Sequence, residues 1–123
     1  AYLNSKLEEE LYIEIPNEIN TDNVNVNKYC YQLLKGLYGL KQSGLLWNKL
    51  LIKTLIELGY VQSENDPCIF IKYIPNYPIP IIISIYVDDL IIYVMKQLLN
   101  IWLNDKQVIK SKFKIDDIGN INY

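Results

Sequence analysis

The chain has no histidine and no arginine. Any cation that faces a carboxylate is therefore a lysine or comes from outside the protein. Cysteine is scarce, with Cys30 and Cys68 alone, and their separation matches no metal-ligand spacing. Their apolar surroundings suggest buried structural thiols in a reducing compartment, with a single disulfide as the alternative. No leader-like segment opens the chain, and the longest apolar stretch is broken by an Asp pair, so neither secretion nor a membrane span is indicated. There is no internal repeat and no low-complexity segment. What remains is a composition rich in Ile, Asn, Lys and Tyr, as translation of an A+T-rich genome produces. At 123 residues, 50% hydrophobic and 21% charged, it suits one globular domain with a real core. The opening lacks Met and reads as the middle of an element, which suggests a fragment.

The net charge of −2 and pI near 5.1 fit poorly with a phosphate-binding surface, which normally clusters cations. The lysines are nevertheless grouped. Lys35, Lys41, Lys49 and Lys53 form one set, Lys106, Lys110, Lys112 and Lys114 another, while acids concentrate in Glu8-Glu9-Glu10. Solvated helix faces account for such clusters equally well.

The apolar pattern divides the chain into short elements. Leu11–Ile15 alternates like a strand stopped by Pro16, residues 17–28 read as a loop, and Tyr29–Lys35 is a second extended stretch. A helix over Gly44–Leu58, with Ser43 as N-cap, carries Trp47, Leu50, Leu51, Leu55 and Leu58 on one face and ends at Gly59. Cys68–Ile74 reads as a strand. A second helix, about Lys96–Lys112, bears Leu98, Leu99, Trp102 and Ile109, and Phe113–Ile115 forms one more candidate strand. Ile79–Val87 and Leu90–Met95 are β-branched runs of strand length with Asp88-Asp89 between them, which predicts a hairpin. The near-continuous run Ile81-Ile82-Ile83-Ser84-Ile85 is that of a strand covered on both faces. Together these predict an α+β fold, strands around a hairpin with two helices on one face. Adjacent carboxylates at a partly desolvated tip repel unless positive charge compensates. A hard divalent ion on oxygen ligands is one answer, and an ordinary solvated turn is the other.

Read in order, the blocks resemble the reverse transcriptase of copia-type LTR retrotransposons. Ala1-Tyr2-Leu3-Asn4 with Leu7–Tyr12 is similar to the family's Ala-Phe/Tyr-Leu-Asn segment and its acidic run. Leu37–Ser43 is similar to Leu-Tyr-Gly-Leu-Lys-Gln-Ala/Ser, followed by Trp47. Gly59-Tyr60, Ser63, Asp66 and Phe70 match the next segment, Tyr86-Val87-Asp88-Asp89 the polymerase tetrapeptide, and Phe113, Asp117, Gly119, Ile121 and Tyr123 the closing one. The resemblance is collinear over essentially the whole chain.

It implies a reverse transcriptase domain fragment over residues 1–123, part of the fingers and most of an antiparallel palm sheet, whose catalytic hairpin packs against two helices. Asp88 and Asp89 would be the catalytic and metal-binding carboxylates for two Mg²⁺ ions, with Mn²⁺ as a substitute, in two-metal nucleotidyl transfer. Tyr2, Lys41 and Gln42 would bind the incoming nucleotide. Tyr2 would act as the gate against a 2′-hydroxyl, with core packing as its alternative, and Lys41 could instead be a solvated loop cation. The partners would be an RNA or DNA template-primer, dNTPs and the remainder of the Pol polyprotein, with no membrane. The location would be intracellular, in a cytoplasmic virus-like particle or the nucleus. The family's first catalytic aspartate falls four residues before its Ala-Phe/Tyr pair, and its primer grip follows the position of Tyr123. The chain is therefore expected to be truncated at both ends and inactive alone. Leu45, Val94 and Asp116 depart from the family pattern, which keeps a non-catalytic relic or interaction module as the alternative.

Overall fold

The computed structural model describes residues 3, 6–16 and 29–120. The predicted loop at 17–28, Tyr2, and the closing residues 121–123 lie outside them. The described residues form mixed α and β structure, with antiparallel sheets and two helices. Two compact units divide between Trp47 and Asn48, within the first helix.

In the first unit, β1 (Lys6–Glu14) pairs antiparallel with β2 (Cys30–Lys35). Leu11 lies opposite Leu33 and Ile13 opposite Tyr31, with an irregular register between Lys6 and Leu11. β1 starts well before Leu11, so the acidic run belongs to a strand. After β2 the chain turns at Gly39, whose φ of 96° suits a residue without a Cβ. That turn lets helix α1 (Lys41–Glu57) begin earlier than Gly44. Ser43 is accordingly not the N-cap. It sits fully buried in the first turn, where its Oγ accepts the Leu37 N–H at 3.1 Å.

In the second unit, β3 (Val61–Gln62), β4 (Ile69–Lys72), β5 (Ile81–Tyr86) and β6 (Asp89–Tyr93) form an antiparallel sheet in that order. A 3-10 turn, Lys96–Leu98, leads into α2 (Leu99–Lys112). Phe70, Ile81, Ile83 and Ile85 are buried with Leu51 and Leu55 of α1, Tyr60, Leu98, Ile109 and Phe113. Side chains alternate along a strand, so Phe70 and Lys72 share a face of β4, and the Lys72 amine reaches Asp105 of α2 at 2.7 Å. α2 therefore lies over that face. Lys112 of α2 pairs with Glu57 of α1 at 2.6 Å.

Three expectations are corrected. β5 is not covered on both faces, because Ile81, Ile83 and Ile85 are buried while Ile82 and Ser84 are half-buried. The half-buried face is nonetheless apolar. Ile82 pairs with Ile71 and Tyr93, and Ile71 with Val61, making one row across all four strands. Phe113–Ile115 is not a strand. Phe113 is extended (φ −131°, ψ 142°), but its N–H closes α2 on the Ile109 carbonyl, its ring is buried, and the last strand among the described residues is β6. Cys30 and Cys68 are both exposed free thiols rather than buried ones. Each flanks or begins a strand at the sheet margin, where apolar neighbours in sequence do not imply burial.

Candidate active-site hairpin

The predicted hairpin forms, but its turn falls one residue earlier than Asp88-Asp89: β5 ends at Tyr86 and not Val87, and β6 runs from Asp89 to Tyr93 and not from Leu90 to Met95. β5 and β6 pair from Ile82 opposite Tyr93 through Ile85 opposite Leu90 to Tyr86 opposite Asp89, leaving Val87 and Asp88 as a two-residue turn. Val87 has φ of 52°, while Asp88 has none of this positive character. A positive φ at the first central residue alone is the pattern of a type II′ turn, which normally takes glycine there. A β-branched residue at positive φ is an outlier, of the kind that costs about 1–3 kcal/mol and persists where the surroundings hold it. Tyr86, Val87, Asp88 and Asp89 are all exposed, with Tyr86 at 76%. The strand pairing thus projects two adjacent carboxylates into solvent from a tip whose backbone is held in an unfavourable conformation.

Three of the eight lysines of this unit are paired with acids outside the hairpin. Lys72 is paired with Asp105, Lys106 with Asp117, and Lys112 with Glu57. The Lys106 amine and the Gly119 N–H hold the Asp117 carboxyl below the usual range, and Lys112 does the same to Glu57. Among the described residues, no three His, Cys, Asp or Glu gather into a group that could hold a metal. What the hairpin offers is two neighbouring groups of hard oxygen donors. That set suits an ion such as Mg²⁺, which keeps several waters and takes one or two carboxylates.

The other expected site residues are distributed as follows. Lys41 and Gln42 open α1 in the first unit, Lys41 exposed and Gln42 half-buried, in a first turn that contains no acid. Tyr2 lies outside the described residues. Of the departures from the family pattern, Leu45 and Asp116 are exposed and Val94 is half-buried just past β6.

A second constellation escaped the sequence reading. Asp105, only 6% exposed, accepts two hydrogen bonds from the Lys72 amine, at 2.9 and 2.7 Å, and one from the Tyr60 hydroxyl at 3.0 Å. The Lys72 amine also stands 5.3 Å from the centre of the Tyr60 ring, within cation–π range. Burial first, then the Asp105 charge and its hydrogen bond, push the Tyr60 phenol well above its ordinary value of 10.0. The cluster ties α2 to β4 and to the end of α1. The signal for it was available: Leu98, Trp102, Asp105 and Ile109 recur at helical spacing, so an acid stands in the apolar stripe. Such an acid needs a partner.

No helix among the described residues is long and apolar enough to cross a membrane. The family model described as reverse transcriptase (RNA-dependent DNA polymerase) matches residues 1–123. The putative transposon Ty5-1 protein of Saccharomyces cerevisiae is 32% identical over 126 residues, covering 99% of this chain and 38% of that protein. The transposon Ty1-MR1 Gag-Pol polyprotein of the same yeast is 30% identical over 97% of this chain and 6% of its own length. The retrovirus-related Pol polyprotein from transposon TNT 1-94 of Nicotiana tabacum is 34% identical over 75% of this chain and 7% of its own length. No solved structure matches the chain significantly. The chain thus spans less than two fifths of the Ty5-1 protein and a small part of the polyproteins. A match along the whole chain settles its membership: it belongs to the reverse transcriptase (RNA-dependent DNA polymerase) family of copia-type LTR retrotransposon Pol polyproteins.

Proposed function

We propose that this chain is the part of a retrotransposon reverse transcriptase, across fingers and palm, that carries the metal-binding hairpin of an RNA-directed DNA polymerase. The observation that carries the reading is the pair Asp88-Asp89, exposed together where the two-residue turn Val87-Asp88 enters β6, in a chain matched end to end by the reverse transcriptase family. Asp88 would be the principal ligand and Asp89 its weaker neighbour. Bound Mg²⁺ would supply activation of the primer 3′-hydroxyl and neutralisation of the departing pyrophosphate, the two-metal division of labour. The chain's own contribution is to hold two anions at one solvent-facing point on a strained turn. Lys41 and Gln42 would receive the nucleotide. The acid-free first turn of α1 supports that role, because a helix start with a lysine favours anions. Tyr2 would exclude the 2′-hydroxyl. Template-primer, dNTPs and the rest of the polyprotein are the partners of the longer protein, and primer extension is assigned to it and not to this chain alone.

The test is a Mn²⁺ titration followed by water proton relaxation. Two carboxylates bind such an ion weakly, and a third anion would strengthen the Coulomb attraction. The expected order is therefore no binding for Asp88→Asn, weak binding for this chain, and tighter binding when the upstream segment with the family's aspartate is joined to it. Equal affinity in all three would reduce Asp88-Asp89 to a solvated turn and leave the non-catalytic relic as the reading.

A further inference from the structure

The β4–β5 ladder has its last residue pair at Ile69 and Ser84. One more bond, from the Ile85 N–H to the Cys68 carbonyl at 2.9 Å, carries the support to the foot of the hairpin tip. β6 is the outermost strand of the sheet, so within the sheet the tip is braced from the β4 side. Cys68 lies just before β4, in a loop fixed at several points. The Asp66 Oδ1 accepts the Cys68 N–H at 2.8 Å, and the Asp66 carbonyl accepts the Ile69 N–H at 3.1 Å. The Gln62 amide donates to the Pro67 carbonyl at 2.7 Å, and the Ser63 N–H donates to the Ile69 carbonyl at 2.9 Å. The Asp66 side chain therefore holds the peptide entering Cys68, and its main-chain carbonyl holds the peptide leaving it, so that Cys68 is fixed on both sides and its carbonyl meets Ile85, the residue before Tyr86.

We propose that Asp66 is a positioning residue for the Asp88-Asp89 site, a role that rests on the metal-binding reading above. It acts through one acceptor atom, by orienting Cys68 so that its carbonyl anchors Ile85 and limits the motion of the turn beyond. A ligand pair gains affinity from such restraint because less freedom is lost when the ion binds. The charge of Asp66 has no part in this. Its neutral amide analogue presents the same Oδ1 to the Cys68 N–H.

The experiment is Mn²⁺ relaxation titration together with amide exchange at Ile83 and Ile85, on the unaltered chain and on Asp66→Ala, Asp66→Asn and Asp88→Asn. Loss of one hydrogen bond is expected to weaken Mn²⁺ binding by Asp66→Ala about two- to tenfold. In the same variant, exchange at Ile85 should quicken while Ile83, inside the ladder, is unchanged. Asp66→Asn should behave as the unaltered chain. If Asp66→Ala binds Mn²⁺ normally while Asp88→Asn does not, the positioning role is overturned and the metal reading stands. If Asp66→Asn is as damaging as Asp66→Ala, Asp66 acts by charge and the brace is refuted. Faster exchange at Ile83 and Ile85 alike would mean general loosening, which also refutes it. Unaltered binding by Asp88→Asn would overturn the metal reading and this role together.

Discussion

Replacing Asp105 by Ala should be the most damaging single change of a polar residue in the second unit. The substitution removes the acceptor for three hydrogen bonds and the only charge placed against the Lys72 amine by those bonds. The Lys72 side chain is 17% exposed, so its ammonium has little water to turn to. The Tyr60 residue is 1% exposed, and its hydroxyl would be left without Asp105. Breaking a buried pair by removing one partner costs about 3–5 kcal/mol, and an orphaned hydroxyl about 1–3. These overlap, since both describe the same network. The flexible lysine stem can also carry its amine toward the surface. A loss of about 3 kcal/mol is expected, a large share of the roughly 5–15 that a domain has in total. Asp105→Asn keeps an acceptor and the volume, and should cost about half as much. The triple change Tyr60→Phe, Lys72→Met, Asp105→Leu should come close to the original stability, because apolar replacement of a whole buried ionic group is often neutral. Urea unfolding followed by far-UV circular dichroism, with midpoint and slope compared across the set, measures all three. A cost below about 1 kcal/mol for Asp105→Ala would show that the cluster is solvated and the burial reading wrong.

Leu51, 2% exposed, should lose about 2–5 kcal/mol on truncation to Ala as a buried large-to-small change, and a loss under about 0.5 in the same assay would place it outside the core. Val87→Gly should raise stability by about 1 kcal/mol, since relief of positive-φ strain exceeds the added freedom of glycine in the unfolded chain; a lowered urea midpoint would show that the turn is unstrained. The Tyr60 phenol is raised in the folded state, so its contribution is complete below the unfolded value of about 10 and is lost as pH rises above it. Over that range stability should fall by up to about 1.4 kcal/mol per pH unit more steeply than in Tyr60→Phe, and parallel urea profiles for the two proteins would refute the assignment.

The hairpin was legible because its signal is local. Strand length, β-branching and a polar pair all sit within residues 79–95, and only the strand ends moved. The helix face was legible for the same reason, since Trp47 and Leu51 are buried while Lys49 and Lys53 are exposed. What sequence reading lost depends on contacts between distant segments. Ser43 looks like a cap by residue type, yet a glycine turn four residues earlier starts the helix sooner and leaves its hydroxyl to Leu37. Phe113 looks like a strand residue, but what buries it is packing after α2 and not a ladder. Lys72 and Asp105 each stand in an apolar pattern as isolated anomalies, 33 residues apart, and only the fold shows that they answer one another. The strain at Val87 is not readable at all, because nothing in Tyr-Val-Asp-Asp fixes the turn type when glycine is absent.

The second unit thus separates what holds it together from what it presents. At one end of β4, Lys72 faces Ile81 in register and leads into the buried cluster with Tyr60 and Asp105. At the other end, Cys68 meets Ile85 and leads out to the exposed Asp88-Asp89 turn. The two ends differ in exposure. The buried acid is held by a lysine and a phenol, and the exposed acids adjoin a residue whose backbone conformation is disfavoured. A turn selected only for stability would carry glycine at Val87 and a residue of opposite or no charge beside Asp88. Both local preferences are violated at the same four residues, and sites where such rules fail together are where function is expected to reside. The cost can be carried because the cluster at the far end of the same strands is fully satisfied: among the described residues no buried side-chain nitrogen or oxygen lacks a partner.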